Sequence, residues 1–220
     1  MNKKTLGIAI PYWKNTIQCE EQFKKLMEKI NQQLTDDMIV YIYEDGQYSE
    51  WLSEYDNTSD NDICVVFNLY NHGVSYARNQ CLFFLTEFVD VDYILFLDSD
   101  DTIDDDYLQT MCEYCKKNEY EIYESGFYVK DVLTQFSPTL VRCGVVGSAI
   151  KTDIIGDTKF DEHLQIGEDT KFMKEVCDLS KYKKCFVPTY YHYQLGINEY
   201  SLTMNYANKI ISKERGWKND

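Results

Sequence analysis

Three carboxylates in four positions, Asp98-Ser99-Asp100-Asp101, directly follow the apolar run Tyr93-Ile94-Leu95-Phe96-Leu97. Side-chain carboxylates this close repel one another unless a cation neutralises them. A hard divalent ion such as Mn2+ or Mg2+ accepts oxygen ligands of this kind, using one or two carboxylates and leaving its other positions to water and phosphate oxygens. The bland alternative is an acidic turn capping the next helix, since Asp101, Asp104, Asp105 and Asp106 all favour a helix N-terminus. The buried strand that the apolar run implies favours the cation site. A second pattern, Cys112-x-x-Cys115, lies in a helical stretch with no second pair at zinc-ribbon spacing and no strand before it. It reads as part of a set of eight reduced, buried or half-buried thiols rather than a metal or redox centre.

The elements around the acidic run follow from periodicity. Thr5 to Ile10 is a short β-rich run ended by Pro11, and Ile17, Phe23, Leu26, Met27, Ile30 and Leu34 recur at helical spacing. Met38 to Tyr43 is a second strand running into the turn Glu44-Asp45-Gly46, and Ile63 to Asn68 a third, before the loop Asn71-His72-Gly73. Val74, Ala77, Cys81, Leu85 and Phe88 mark another helix, and Tyr93 to Leu97 is a buried central strand. Strands alternating with helices imply a doubly wound, mostly parallel α/β sheet, whose ligands bind at the strands' carboxyl ends. The segments at Asn15, Asp45 and Asp98 to Asp101 therefore converge on one crevice. Beyond Asp104 a helix is expected over Asp105 to Lys117, then an irregular strand-rich stretch through Ile150, and a helix near Asp169 to Asp178. Length and pattern predict one domain, with an N-terminal half over 1–103, a C-terminal half over 104–205, and a tail over 206–220.

The balance of 22 Lys+Arg against 37 Asp+Glu, net −15, repels double-stranded nucleic acid and anionic membranes over most of the surface. Nothing in the first thirty residues has the form of a signal peptide, and no apolar run reaches a membrane-spanning length. The expectation is a soluble, cytoplasmic protein. The tail around Lys209, Lys213, Arg215 and Trp217 reads as an ordinary C-terminal helix, with weak membrane association as the alternative.

Five segments in order make the whole chain resemble a family 2 glycosyltransferase of the GT-A fold. Ile8-Ala9-Ile10-Pro11-Tyr12-Trp13 is similar to the family's first strand, and Tyr43-Glu44-Asp45-Gly46 to its Asp-Asp-Gly turn. Asn71-His72-Gly73-Val74-Ser75-Tyr76-Ala77-Arg78-Asn79 resembles its loop-and-helix pattern most closely, and Phe96 to Asp101 its D-x-D strand end. Phe160-Asp161-Glu162 leading to Gly167-Glu168-Asp169 resembles the segment that presents the catalytic base. The resemblance implies a UDP-sugar donor, a divalent metal, and a glycan, lipid-linked or other hydroxyl acceptor, with 1–103 as the nucleotide-sugar-binding half and 104–205 as the acceptor and catalytic half. It implies that Asp45 accepts from the base edge, that Trp13 or Tyr12 stacks on the base beside Pro11, and that Arg78, one of three arginines, lies by the nucleotide. Glu44 stands where the family has its first Asp, which leaves Asp45 as the better candidate. Asp98, Ser99 and Asp100 would contact the donor, Asp100 holding metal and ribose, with Asp101 as a second metal ligand. Asp169 would be the general base, with Glu168 its rival, although both also suit a helix start. His192 is a candidate third ligand through neutral imidazole. His72 is structural or a nucleotide neighbour, His163 is exposed, and the glycines of Arg142-Cys143-Gly144-Val145-Val146-Gly147 let backbone approach the sugar or acceptor.

Rival readings remain. Asp98-Ser99-Asp100-Asp101-Thr102 also resembles the D-x-D-x-T nucleophile motif of a haloacid-dehalogenase-type phosphatase, but that motif opens its fold and here about 95 residues precede it. A non-catalytic sugar-binding relative is the other alternative. The absence of glycine in Pro11-Tyr12-Trp13-Lys14-Asn15 argues against a nucleotidyltransferase and a dinucleotide oxidoreductase alike.

Overall fold

The computed structural model describes residues 3–14, 16–56, 62–129, 132–134, 144–164, 166–177 and 183–193. In chain order the elements begin with β1 (Lys4–Tyr12), α1 (Ile17–Gln33), β2 (Met38–Asp45), α2 (Glu50–Asp56), β3 (Ile63–Asn68) and α3 (Val74–Phe84), which runs on into a π-helical turn, Leu85–Val89. They continue with β4 (Val91–Phe96), β5 (Thr102–Ile103), α4 (Tyr107–Lys117), β6 (Ile122–Val129), β7 (Val132–Thr134), β8 (Ser148–Lys151), α5 (Thr152–Ile155), α6 (Glu168–Val176) and β9 (Lys184–Tyr193).

One sheet runs in the order β3-β2-β1-β4-β8-β6-β9-β5, with β7 paired to β6. The first four strands are parallel. At β8 the direction reverses, since β8 is antiparallel to both β4 and β6, while β9 runs parallel to β6. All eight residues of β2 are buried, as a parallel strand covered on both faces requires. The core fills with Phe23, Leu26, Met27 and Ile30 of α1, Ile94 to Leu97, and the aromatic rings of Tyr93, Tyr107, Tyr123 and Phe172.

Pro11 does not end β1: the strand continues through Tyr12, paired with Glu44. The backbone of Ala9 faces β4, where it accepts from Leu97 N at 3.1 Å, and Pro11, two residues on, faces the same way. There β4 has already ended, so no ladder bond is lost to the missing N–H. At the far end of β2, Gly46 has φ 96°, and a Cβ there would come within 2.8 Å of Asn71 Cβ, so the turn into α2 needs glycine.

The helix after the acidic run starts at Tyr107, two residues later than the pattern suggested. Asp104 is drawn instead into β9, where its carboxylate accepts from Tyr190 N at 2.9 Å. A polar stripe on α1 holds the same segment: Gln22 Nε2 donates to Asp101 O at 3.1 Å, Lys29 Nζ to Ile103 O at 2.7 Å and Gln33 Nε2 to Asp104 O at 2.9 Å. Among the described residues no helix is long and apolar enough to cross a membrane.

Candidate functional site

At the carboxyl ends of β1 and β2 the side chains part onto two faces. Asp45, 2% exposed, accepts through Oδ2 from His72 N at 2.9 Å and Gly73 N at 2.8 Å. Its Oδ1 is buried with no hydrogen-bond partner, and His72 Nδ1 lies 3.6 Å from it. A buried carboxylate oxygen left unmatched is costly, so this one would gain from an N–H brought beside it. Glu44 points to the opposite face, where it accepts from Ser49 N at 2.9 Å and from the Ser49 hydroxyl, closing the turn before α2. It is structural.

Tyr12 lies on the Glu44 face, 1% exposed, with its ring 4.4 Å from Phe23 and 6.4 Å from Trp51. The expectation that Tyr12 stacks on a base is therefore corrected: core packing closes the crevice to it, and burial drives its hydroxyl pKa well up. Trp13, 48% exposed, is the ring free to stack. Pro11 is buried in β1 opposite Tyr43 and only supports the strand end.

Arg78 joins the two halves of the crevice. From α3 its Nη2 donates to Asp98 Oδ1 at 3.0 Å and its Nη1 to Glu168 Oε1 at 2.8 Å. Burial opposes its charge, but Asp98 and Glu168, with Asp169 beyond, more than offset that and raise its pKa. The expected contact between Arg78 and a nucleotide is thus taken up by carboxylates. Glu168, 8% exposed, is committed to the guanidinium. Asp169 is not: Oδ1 accepts from Thr170 N at 2.7 Å, while Oδ2 faces Gly144, where an added Cβ would sit only 3.3 Å away.

Within the acidic run the carboxylates divide. Asp101 is 1% exposed and its Oδ2 accepts from the Tyr191 hydroxyl at 2.5 Å, which in turn accepts from Asp98 N at 3.2 Å. Burial and the charges of Asp101 and Asp98 push the Tyr191 hydroxyl pKa far up, keeping it a proton donor. Asp101 therefore pins the turn and does not reach into the crevice as a second ligand. Ser99 and Asp100 are half-buried on the turn itself. Burial, then the neighbouring Asp98 charge, raises the Asp100 carboxyl to about 6. A cation would relieve that repulsion, so Asp98 and Asp100 fit one, with Asp98 shared with Arg78. His192 is held elsewhere: Nε2 lies 2.6 Å from Asp104 Oδ1 and its ring stacks on Tyr128 at 4.9 Å. Among the described residues no three His, Cys, Asp or Glu side chains form a ready metal cage.

Sequence reasoning missed the hydrogen bonds of Asn79 and the polar stripe of α1. Asn79 was visible only as part of a motif, and the spacing of Gln22, Lys29 and Gln33 on one helix face was the available signal for the second. Cys112 and Cys115 are buried in α4, and burial drives both thiols up, Cys112 to about 11. Asn15, Arg142, Cys143 and the tail 206–220 lie outside the described residues.

A model of glycosyl transferase family 2 matches residues 8–143. No curated protein sequence matches. Among solved structures, S. aureus TarS 1-349 superposes with a TM-score of 0.68 at 15% identity, covering 86% of this chain and 60% of that one. Its complex with UDP-GlcNAc gives 0.71 at 14% identity, covering 90% and 60%, and its complex with UDP gives 0.68 at 15%, covering 87% and 60%. The chain spans about 60% of the length of those TarS chains. The shared property is the fold, the GT-A arrangement.

Proposed function

The chain belongs to glycosyl transferase family 2, and on that premise we propose that it moves a hexose or N-acetylhexosamine from a UDP-sugar to an acceptor hydroxyl, with inversion. The observation that carries this reading is the Arg78 bridge. One buried guanidinium holds the acidic run and the start of α6 together, which supports a donor bound on Asp98 to Asp100 next to the helix end that carries Asp169.

Asp45 Oδ1 accepts the imide N–H of uracil and Trp13 stacks on the ring. Asp98 and Asp100 would hold Mn2+ or Mg2+, which would supply charge neutralisation to the diphosphate. Asp169 Oδ2, the oxygen not tied to Thr170, takes the proton from the acceptor hydroxyl as that oxygen bonds to the anomeric carbon. The bond to the diphosphate breaks on the opposite face, and UDP leaves. Glu168 is engaged by Arg78, so the base role falls to Asp169. Gly144, without a side chain, leaves room beside that carboxylate for the acceptor. Complexes of TarS with UDP and UDP-GlcNAc support a uridine donor by analogy of fold.

Family membership leaves the phosphatase reading of Asp98 to Thr102 without support. A UDP-release assay over a panel of UDP-sugars, with Mn2+ or with EDTA, tests the proposal. The expected result is cation-dependent release that Asp169→Asn reduces roughly a hundredfold or more, the scale for losing a positioned acid–base group, and that Asp100→Asn also reduces, by weakening the hold on the cation. Full turnover in both variants refutes the site, and UDP binding with no turnover on any donor identifies a non-catalytic sugar-binding relative.

A further inference from the structure

Asn79 follows Arg78 on α3 and is 8% exposed. Its amide makes three hydrogen bonds, all to one segment: Nδ2 donates to Phe160 O at 3.0 Å and to Glu162 Oε1 at 2.8 Å, and Oδ1 accepts from Phe160 N at 2.8 Å. The pair of bonds to Phe160 is what a neighbouring strand would supply, here delivered by a side chain. Phe160 in turn stacks on Phe172 of α6 at 4.0 Å and 6°, meets Phe96 of β4 edge-on at 5.3 Å, and lies 5.4 Å from the Arg78 guanidinium. It is the ring through which α3, β4 and α6 pack together, and α6 opens with Glu168 and Asp169.

We infer that Asn79 is a positioning residue: by fixing Phe160 it sets where α6 presents Asp169, and so governs acceptor deprotonation without touching the donor. This rests on Asp169 being the base of the proposed transfer. Only an amide combines a donor and an acceptor at this spacing. In Asn79→Asp one oxygen keeps Phe160 N, but the other faces Phe160 O and Glu162 Oε1 with no proton to give.

The experiment is steady-state kinetics of Asn79→Asp, Glu162→Ala and the double variant Asn79→Asp with Glu162→Gln, on a donor that the wild type turns over. It is joined to UDP affinity by calorimetry and to hydrogen exchange over residues 158–164 and 166–168. A displacement of about 1 Å at a catalytic group costs on the order of 100-fold, so kcat of Asn79→Asp should fall about that much. UDP affinity and donor KM should stay within about twofold, a split that general destabilisation would not produce. Glu162→Ala alters an exposed residue and keeps the fold, and should lower kcat a few-fold. The double variant sets a new amide donor against the new carboxylate, restoring one of the lost hydrogen bonds, and should recover about tenfold over Asn79→Asp. Exchange should quicken over the same residues while β1 to β4 stay protected. Unchanged kcat, or kcat and UDP affinity falling together, overturns the inference. Wild-type protein that turns over no donor, or Asp169→Asn that keeps full turnover, sinks the transferase reading and the catalytic half of this one, and exchange then decides whether Asn79 holds the segment.

Discussion

Asp100→Asn should make the cation-free protein more stable. Burial, then the Asp98 charge, lifts the Asp100 carboxyl from 3.8 to about 6, against partial relief from a backbone hydrogen bond and Arg78. Two units correspond to roughly 3 kcal/mol at about 1.4 kcal/mol per unit. Asp100 is only half-buried, and solvent screening brings the figure to roughly 1 kcal/mol. The folded state holds this proton more tightly than the unfolded chain does, so the stabilisation belongs to the protonated form. It is fully present below pH ~4 and is lost as pH rises through about 6. Asparagine removes the charge at every pH. In EDTA the variant should therefore melt about 2–4 °C above wild type at pH ~7.5, at roughly 2–4 °C per kcal/mol for a chain of this size, and level with it near pH ~4. Mn2+ should raise the melting temperature of wild type through preferential binding to the folded state, and that rise should largely vanish in Asp100→Asn. Scanning fluorimetry from acid to mildly basic pH, with and without Mn2+, reads all three. A variant less stable than wild type at the basic end in EDTA, or one that keeps the full Mn2+ response, refutes the reasoning.

Arg78→Ala leaves the buried Glu168 and the half-buried Asp98 without their shared counter-charge; breaking a buried pair costs about 3–5 kcal/mol, which urea unfolding should register as a large fall in midpoint. Tyr191→Phe removes the donor from the buried Asp101 carboxylate, and a loss of about 1–3 kcal/mol is expected by the same measurement. Asp45→Asn should weaken UDP binding about 10- to 100-fold in calorimetry, the range for losing a hydrogen bond to a charged group. Glu44→Gln should leave UDP affinity unchanged and lower stability instead, because Glu44 holds Ser49 on the other face.

The parallel half of the sheet was legible because its signals are local. Buried strands ending in polar turns, and helices with a 3.6-residue apolar repeat, fold the same way wherever they sit, and β3 and the start of α3 fall where the pattern put them. Tyr12 was misread for a tertiary reason: adjacent strand residues point to opposite faces, and whether Tyr12 or Trp13 meets the crevice depends on Phe23 and Trp51, contributed by α1 and α2. Helix α2 was missed altogether. It is seven residues long, with its turn set by Gly46 and Glu44 rather than by an apolar repeat. His192 and Asp101 were grouped with Asp100 because residue type and the expected crevice suggest a shared ion. The structure commits them to Asp104 and Tyr191, pairings that β9 makes across about 90 residues of chain.

The residues alone pointed to the family and to the strand that leads into Asp98 to Asp101, and they offered Asp45 and Asp169 as candidate carboxylates on either side of it. These are properties of residue type and local spacing. Which carboxylates are taken up by ion pairs or buried hydroxyls depends on packing between distant segments. Arg78 can neutralise Glu168 and Asp98 together only once α3, β4 and α6 pack around Phe160, and a buried charge takes whatever partner the packing places beside it. That choice commits Glu168 to Arg78 and Asp101 to Tyr191, and for this reason the proposed transfer relies on Asp100 and Asp169.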